Sequence, residues 1–187
     1  MPTAACPFPE HTPDSAPPGA RRAMERVAKA QGGQVPSAVA RLATSPELLG
    51  GFLQASAAFE SSTLDPLARE VVVMTMATRH ACRVCVAMHT ARLTGMGADP
   101  ELVAALRAGE PRTALPDERL EGVRRFALAV IACGGAVDDD TLQDFLALGH
   151  TPRNALEVVL GIGTYTMSTL ANRMTGAPVD GRLAAFA

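Results

Sequence analysis

The chain has 187 residues and 17 lysines and arginines against 19 acids, a formal net charge of -2. That length fits one domain, the 48% apolar content excludes a disordered chain, and the lack of a basic excess argues against a nucleic-acid binder. No Trp, one Tyr and six Phe offer few stacking platforms for single strands and speak against an all-β sandwich.

Pro2, Pro7, Pro9, Pro13, Pro17 and Pro18 make residues 1–18 an extended arm, and 19–187 follow as one helical domain. The start has no early cation and no apolar stretch, so it is not read as a secretory signal. No run reaches 18 apolar residues, so no transmembrane span is expected and the cytoplasm is the expected location. Helices are then read at 21–31, stopped by Gly32-Gly33, and at 35–43. Ser45-Pro46 opens a third, with Leu48, Leu49, Phe52, Leu53 and Ala57 at helical spacing. Asp65-Pro66 opens a fourth, running to about Thr78. The fifth covers 82–94, and Asp99-Pro100 opens a sixth closed by Gly109. Pro116-Asp117 opens a seventh ending at Gly134-Gly135, 138–148 is the eighth, and Thr151-Pro152 opens a ninth reaching about Arg173. Almost no window alternates with period two. The expected fold is an all-α bundle of eight or nine helices.

At an offset of 52 residues Ala77 falls on Ala129, Gly97 on Gly149, Pro100 on Pro152 and Gly109 on Gly161. This weak repeat suggests a duplicated unit, but Cys82, Cys85 and His89 fall on Gly134, Val137 and Thr141. The polar constellation is therefore not duplicated.

That constellation carries the chemistry. On a helix, Cys82, Cys85 and His89 sit at i, i+3 and i+7, on one face. Thiols at this spacing can close a disulfide, and His89 can exchange a proton with Cys85. Between Asp65 and Asp99 the acid is Glu70, while Arg69, Arg79, Arg83 and Arg92 are cations, with His80 and His89 able to join them. Cationic neighbours and a first helical turn both favour thiolate over thiol. The residues also leave zinc ligation open, with Cys133, His80 or His150 as a further ligand, as well as plain burial. Cys133, in an apolar run, is expected to be buried, and Cys6 exposed in the arm. Met74, Met76, Met88 and Met96 read as core filler. Tyr165 and Asn172 share one face of the last helix, as buried polar groups with partners in the fold or as lining of the site. His150 follows Gly149 at a helix end, facing the dipole or solvent.

Glu70 poses a problem. It precedes Cys82 by 12 residues, roughly 18 Å along an unbroken helix. For the two to meet the chain must fold back near 79–81, where neither Gly nor Pro marks a break.

The pattern Glu70-x11-Cys82-x2-Cys85-x3-His89, with Leu64-Asp65-Pro66-Leu67-Ala68-Arg69 before it, resembles the alkyl hydroperoxidase D-like proteins of the carboxymuconolactone decarboxylase superfamily. The later Pro152, Leu156-Glu157-Val158-Val159 and Asn172 are also similar, so the resemblance spans 52–172. It implies an all-helical, oligomeric protein, a trimer or hexamer. It implies a thiol peroxidase or thiol–disulfide oxidoreductase in which Cys85 is peroxidatic, Cys82 resolving, and His89 activates the thiol with Glu70 as relay partner. The substrate implied is a hydroperoxide, and the reductant a dithiol such as that of a lipoyl-bearing protein. No metal, flavin or nucleotide cofactor is expected. Where members of the family often carry a second histidine just before the second cysteine, this chain has Val84. The alternatives are a carboxymuconolactone decarboxylase-like enzyme, which needs proton transfer and no disulfide, and a zinc-stabilised or redox-sensing oligomer without catalysis.

Overall fold

The computed structural model describes residues 7–109 and 114–187. Cys6 and Pro2, read as part of the arm, lie outside them. Among the described residues there are nine α-helices, one terminal 3-10 helix (Gly181–Phe186) and no strand. The α-helices are α1 (Pro18–Ala30), α2 (Ser37–Leu42), α3 (Pro46–Glu60), α4 (Pro66–Arg79), α5 (Arg83–Gly95), α6 (Pro100–Ala108), α7 (Glu118–Ala132), α8 (Asp139–Ala147) and α9 (Pro152–Met174).

Local chemistry sets most of these boundaries. The Ser45 hydroxyl accepts from the Leu48 N–H at 3.2 Å. Asp65, Asp117 and Asp138 accept from Ala68, Leu120 and Thr141 at 2.9, 2.9 and 2.7 Å. Thr151 and Asn154 close a reciprocal capping box at the start of α9. Helix α1 starts three residues before the sequence reading, because Pro18 takes the first helical position. Residues 7–17 form no helix, yet Glu10 pairs with Arg41 at 3.0 Å and Ala16 packs with Ala20 and Met24.

Helix α4 is the axis of the fold and packs against α3, α5, α6, α7 and α9. Its stretch Val71-Val72-Val73-Met74 is apolar on every side and wholly buried, as a central helix must be. Around it lie Phe59, Leu93, Leu106, Val123, Phe145 and Val158. Gly161 lets α9 approach α3 and α4: a Cβ there would lie 2.6 Å from Phe59 Cε2 and 2.8 Å from Val72 Cγ1.

Two side-chain expectations fail. Cys133 is exposed. The core face of α7 runs through Val123, Phe126, Ala127 and Val130, and Cys133 caps the helix where the chain turns out at Gly134-Gly135. Met74 and Met76 are buried, but Met88 and Met96 are 36% and 39% exposed. Among the described residues no helix is long and apolar enough to cross a membrane.

Candidate functional site

The fold-back that would bring Glu70 near Cys82 exists, and it is built on an alanine. Helix α4 ends at Arg79, His80 caps it, and Ala81 takes φ +50°, the left-handed region. The Cys82 N–H then donates to the Ala77 carbonyl at 2.8 Å, and the Ala81 N–H to that of Thr78 at 2.9 Å. These bonds form a Schellman closure, whose pivot is usually glycine. Alanine in this conformation costs about 1–2 kcal/mol. The turn reverses the chain within three residues, 80–82, and α5 returns alongside α4.

Cys82 becomes the N-cap of α5 and Cys85 the third residue of its first turn. The two form a disulfide with Cα atoms 5.3 Å apart, both buried. The Cys82 side chain makes no capping bond, so the amide end of α5 faces the sulfurs uncapped, and a thiolate there meets the positive end of the helix. Apolar Ala38, Ala77, Val84 and Val86 surround the pair. A pocket of about 510 Å³ adjoins it, lined by Ala81, Cys82, Arg83, Asn172, Arg173 and Pro178 among others.

His89 stands one turn beyond Cys85 on α5. Its Nδ1 lies 2.8 Å from Glu70 Oε2, and Glu70 is wholly buried on α4. A carboxylate can only accept, so Nδ1 carries the hydrogen and Nε2 of the neutral ring is the free acceptor. Arg92 Nε stands 3.0 Å from Glu70 Oε1, and its other end reaches Glu60 Oε2 at 2.6 Å. Arg69 Nε is 3.9 Å from the same Glu60 oxygen. The cations expected to face the thiols are therefore divided: Arg69 and Arg92 serve carboxylates, while Arg83 begins α5 beside the pocket.

Helix α9 supplies the rest. The Asn172 amide nitrogen donates to Cys85 Sγ at 3.4 Å. The Tyr165 ring meets His89 edge-on at 5.6 Å and also packs against Phe52 and Phe59. Burial pushes the Tyr165 phenol up to about 12; a bond with Ser56 opposes this, and the charges of Glu60 and Glu70 add to it. The phenol thus stays protonated in the physiological range. His80 Nδ1 contacts the Thr169 hydroxyl at 2.7 Å. Burial, then the charges of Arg79 and Arg173, hold its pKa below the usual histidine value.

Glu70, Cys82, Cys85 and His89 thus converge. Arg92, Tyr165 and Asn172 join them: Arg92 was expected only as one of the cations near the cysteines, and Tyr165 and Asn172, on their shared face of α9, as buried polar groups or as lining of the site. Cys133 and His150 stand elsewhere. His150 is buried, stacked on Phe145 with centroids 4.3 Å apart, and not solvated. Among the described residues no group of three or more His, Cys, Asp and Glu side chains is placed to hold a metal ion.

Residues 45–124 match the carboxymuconolactone decarboxylase family. The match holds Glu70, Cys82, Cys85 and His89 and stops short of α9. Among solved structures, the chain is similar to the alkylhydroperoxidase AhpD core of an uncharacterized peroxidase-related protein from Ralstonia eutropha JMP134, with a TM-score of 0.81 and 20% identity over 94% of this chain and 93% of that one. It is similar to an uncharacterized peroxidase-related protein from Silicibacter sp. TM1040, with a TM-score of 0.77 and 20% identity over 95% and 92%. A third is the debrominase Bmp8, a cysteine-to-alanine variant in complex with 2,3,4-tribromopyrrole, with a TM-score of 0.74 and 13% identity over 100% and 96%. At such identities the likeness is one of fold. No curated protein matches the sequence.

Proposed function

We propose that this chain, whose residues 45–124 match the carboxymuconolactone decarboxylase family and whose fold is alkylhydroperoxidase D-like, is a thiol peroxidase working through Cys82 and Cys85. The observation that carries this reading is the Cys82–Cys85 disulfide in the first turn of α5, one turn from the buried His89–Glu70 pair.

In the reduced protein, His89 Nε2 takes the Cys85 proton, and Glu70 steadies the imidazolium that results. The Cys85 thiolate attacks the outer oxygen of a hydroperoxide. The O–O bond breaks, the alkoxide leaves with the proton held on His89, and Cys85 becomes a sulfenic acid. Cys82 then attacks the Cys85 sulfur, and the sulfenic oxygen departs as water. An external dithiol, such as a lipoyl group, returns both cysteines to thiols by exchange. Val84 removes a second histidine from this scheme, so proton transfer rests on His89. The setting is a reducing cytoplasm.

Association between copies belongs to the same proposal. Leu156, Val159, Leu160, Leu170 and Met174 line the outward side of α9, between 36% and 73% exposed, a larger apolar stripe than a solvated helix usually carries. Light scattering on the purified protein would return a trimeric or hexameric mass if copies associate, and a mass of 19.4 kDa if they do not.

The test of the activity is direct. The reduced protein is given one equivalent of cumene hydroperoxide and its cysteines are mapped by peptide mass. The expected result is a Cys82–Cys85 disulfide within seconds, none in Cys85→Ser, and a trapped Cys85 sulfenic acid in Cys82→Ser. Thiols that stay free over minutes would overturn the reading. Decarboxylation of a lactone acid, the family's other activity, needs no second thiol and would survive Cys82→Ser.

A further inference from the structure

Asn172 is buried, and its Nδ2 donates to Cys85 Sγ across 3.4 Å. Neither sulfur of a disulfide carries a hydrogen, so the amide can offer Cys85 only its N–H. The other end of the amide is left over: Oδ1 is buried and accepts no hydrogen bond. A buried acceptor without a donor costs about 1–3 kcal/mol, and one kept beside a reactive sulfur calls for a reason. Oδ1 shares a carbon with Nδ2, so it too stands next to Cys85. Asn172 also lines the pocket of about 510 Å³ together with Cys82, room enough for a small organic molecule.

Building on the peroxidase reading, we infer that Asn172 is a catalytic residue with two duties. Its Nδ2–H binds the Cys85 sulfur as a thiolate, and its Oδ1 accepts the O–H of the incoming hydroperoxide. The amide thereby holds the outer oxygen of R–O–O–H against the sulfur. The sulfur gives an electron pair to that oxygen, the S–O bond forms and the O–O bond breaks. The alkoxide takes the proton that His89 removed from the Cys85 thiol and leaves as an alcohol. The transferred oxygen keeps its own hydrogen, so Oδ1 goes on to accept from the Cys85 sulfenic acid until Cys82 displaces that oxygen as water. Sulfur is oxidised by two electrons, and the peroxide is reduced by the same two.

The experiment compares the full-length parent with Asn172→Asp, which keeps the shape but replaces the donor by an anion, and Asn172→Ser, which is too short to reach the sulfur. The reduced proteins are alkylated with iodoacetamide from pH 4 to 10, and the Cys85 peptide is quantified by mass. Separately, disulfide formation with cumene hydroperoxide is timed at a pH above each protein's alkylation midpoint. The expected result is a midpoint raised by about one pH unit in Asn172→Asp and by less in Asn172→Ser, with disulfide formation at least tenfold slower in both. Unmoved midpoints, together with rates within twofold of the parent in either variant that retains the parent's helical circular dichroism, would overturn the inference. Alkylation needs no peroxide. A parent inert to hydroperoxide would therefore bring down the peroxidase reading and the Oδ1 duty with it, while a raised midpoint would still uphold the Nδ2 duty.

Discussion

At an offset of 52 residues, α4, α5 and α6 fall on α7, α8 and the first turns of α9, with Asp65 on Asp117 and Pro100 on Pro152. The two hairpins are then put to different ends. The first turns in three residues, 80–82, over the left-handed Ala81, while the second takes six, 133–138, with Gly134 and Gly135 at positive φ. Helix α5 buries Cys85 and His89 among six residues, whereas α8 buries Phe145 alone. Glu70 falls on Gly122, where a Cβ would run into Leu148. Gly109 closes α6, but its counterpart Gly161 lies inside α9, which runs on to Met174 as the wall that carries Tyr165 and Asn172. Helices at the same offset thus hold the Cys82, Cys85 and His89 constellation in one hairpin and ordinary packing in the other. The difference lies in how tightly the turn closes and in what the central helix buries.

The largest test of that contrast sets cysteine against cysteine. Cys85→Ser is expected to abolish disulfide formation with hydroperoxide, while Cys133→Ser, at the exposed turn of the second hairpin, should leave its rate within twofold. A peptide-mass time course checks both. Next comes the buried carboxylate. Glu70→Gln removes the anion facing His89 and Arg92 and should slow the peroxide reaction by about 10²-fold or more, read by stopped-flow. An unchanged rate would reduce Glu70 to a packing role.

Stability separates the close helix approach at Gly161 from the strained pivot at Ala81. Gly161→Ala forces a methyl against the Phe59 ring and should cost about 1–3 kcal/mol, a fall of several degrees in Tm, followed by calorimetry. Ala81→Gly relieves the strained pivot and should raise Tm by a few degrees or less, since glycine also gains freedom in the unfolded chain.

A second buried carboxylate gives the smallest and most pH-specific effect. Burial pushes Glu157 up, but hydrogen bonds from the Thr63 N–H and hydroxyl, Asn154 and Arg153 outweigh it and hold the carboxyl at about 2 against an ordinary 4.5. A depressed carboxyl stabilises the fold fully above its unfolded value and loses that contribution as pH falls through the folded one. The deficit of Glu157→Gln in urea melts should therefore be constant above about pH 5 and shrink between pH 4.5 and 2. The thiol chemistry should not follow it.

Most helices could be read from the sequence because their stop and start signals are local: Ser45, Asp65, Asp117, Asp138 and Thr151 each cap within three residues of themselves. The turn at Ala81 could not, since it rests on an alanine held where glycine is the usual signal. The four motif residues were visible as a spacing, and their meeting depended on that turn. Asn172 and Tyr165 reach the site only through the packing of α9 on α4 and α3, which no local pattern encodes. Cys133 misled because an apolar run identifies a buried helix but not where that helix ends.

The ion pairs around Glu70 have a further consequence. Glu60 and Arg92 stand at the surface, Glu70 inside, and His89 behind it. Arginine does not give up its proton under physiological conditions. The line therefore joins the buried imidazole to the surface through ion pairs but does not conduct protons. Along this line His89 has no proton path to solvent, so under the proposed peroxidase reading the hydrogen it takes from a thiol leaves with the product rather than through Arg92.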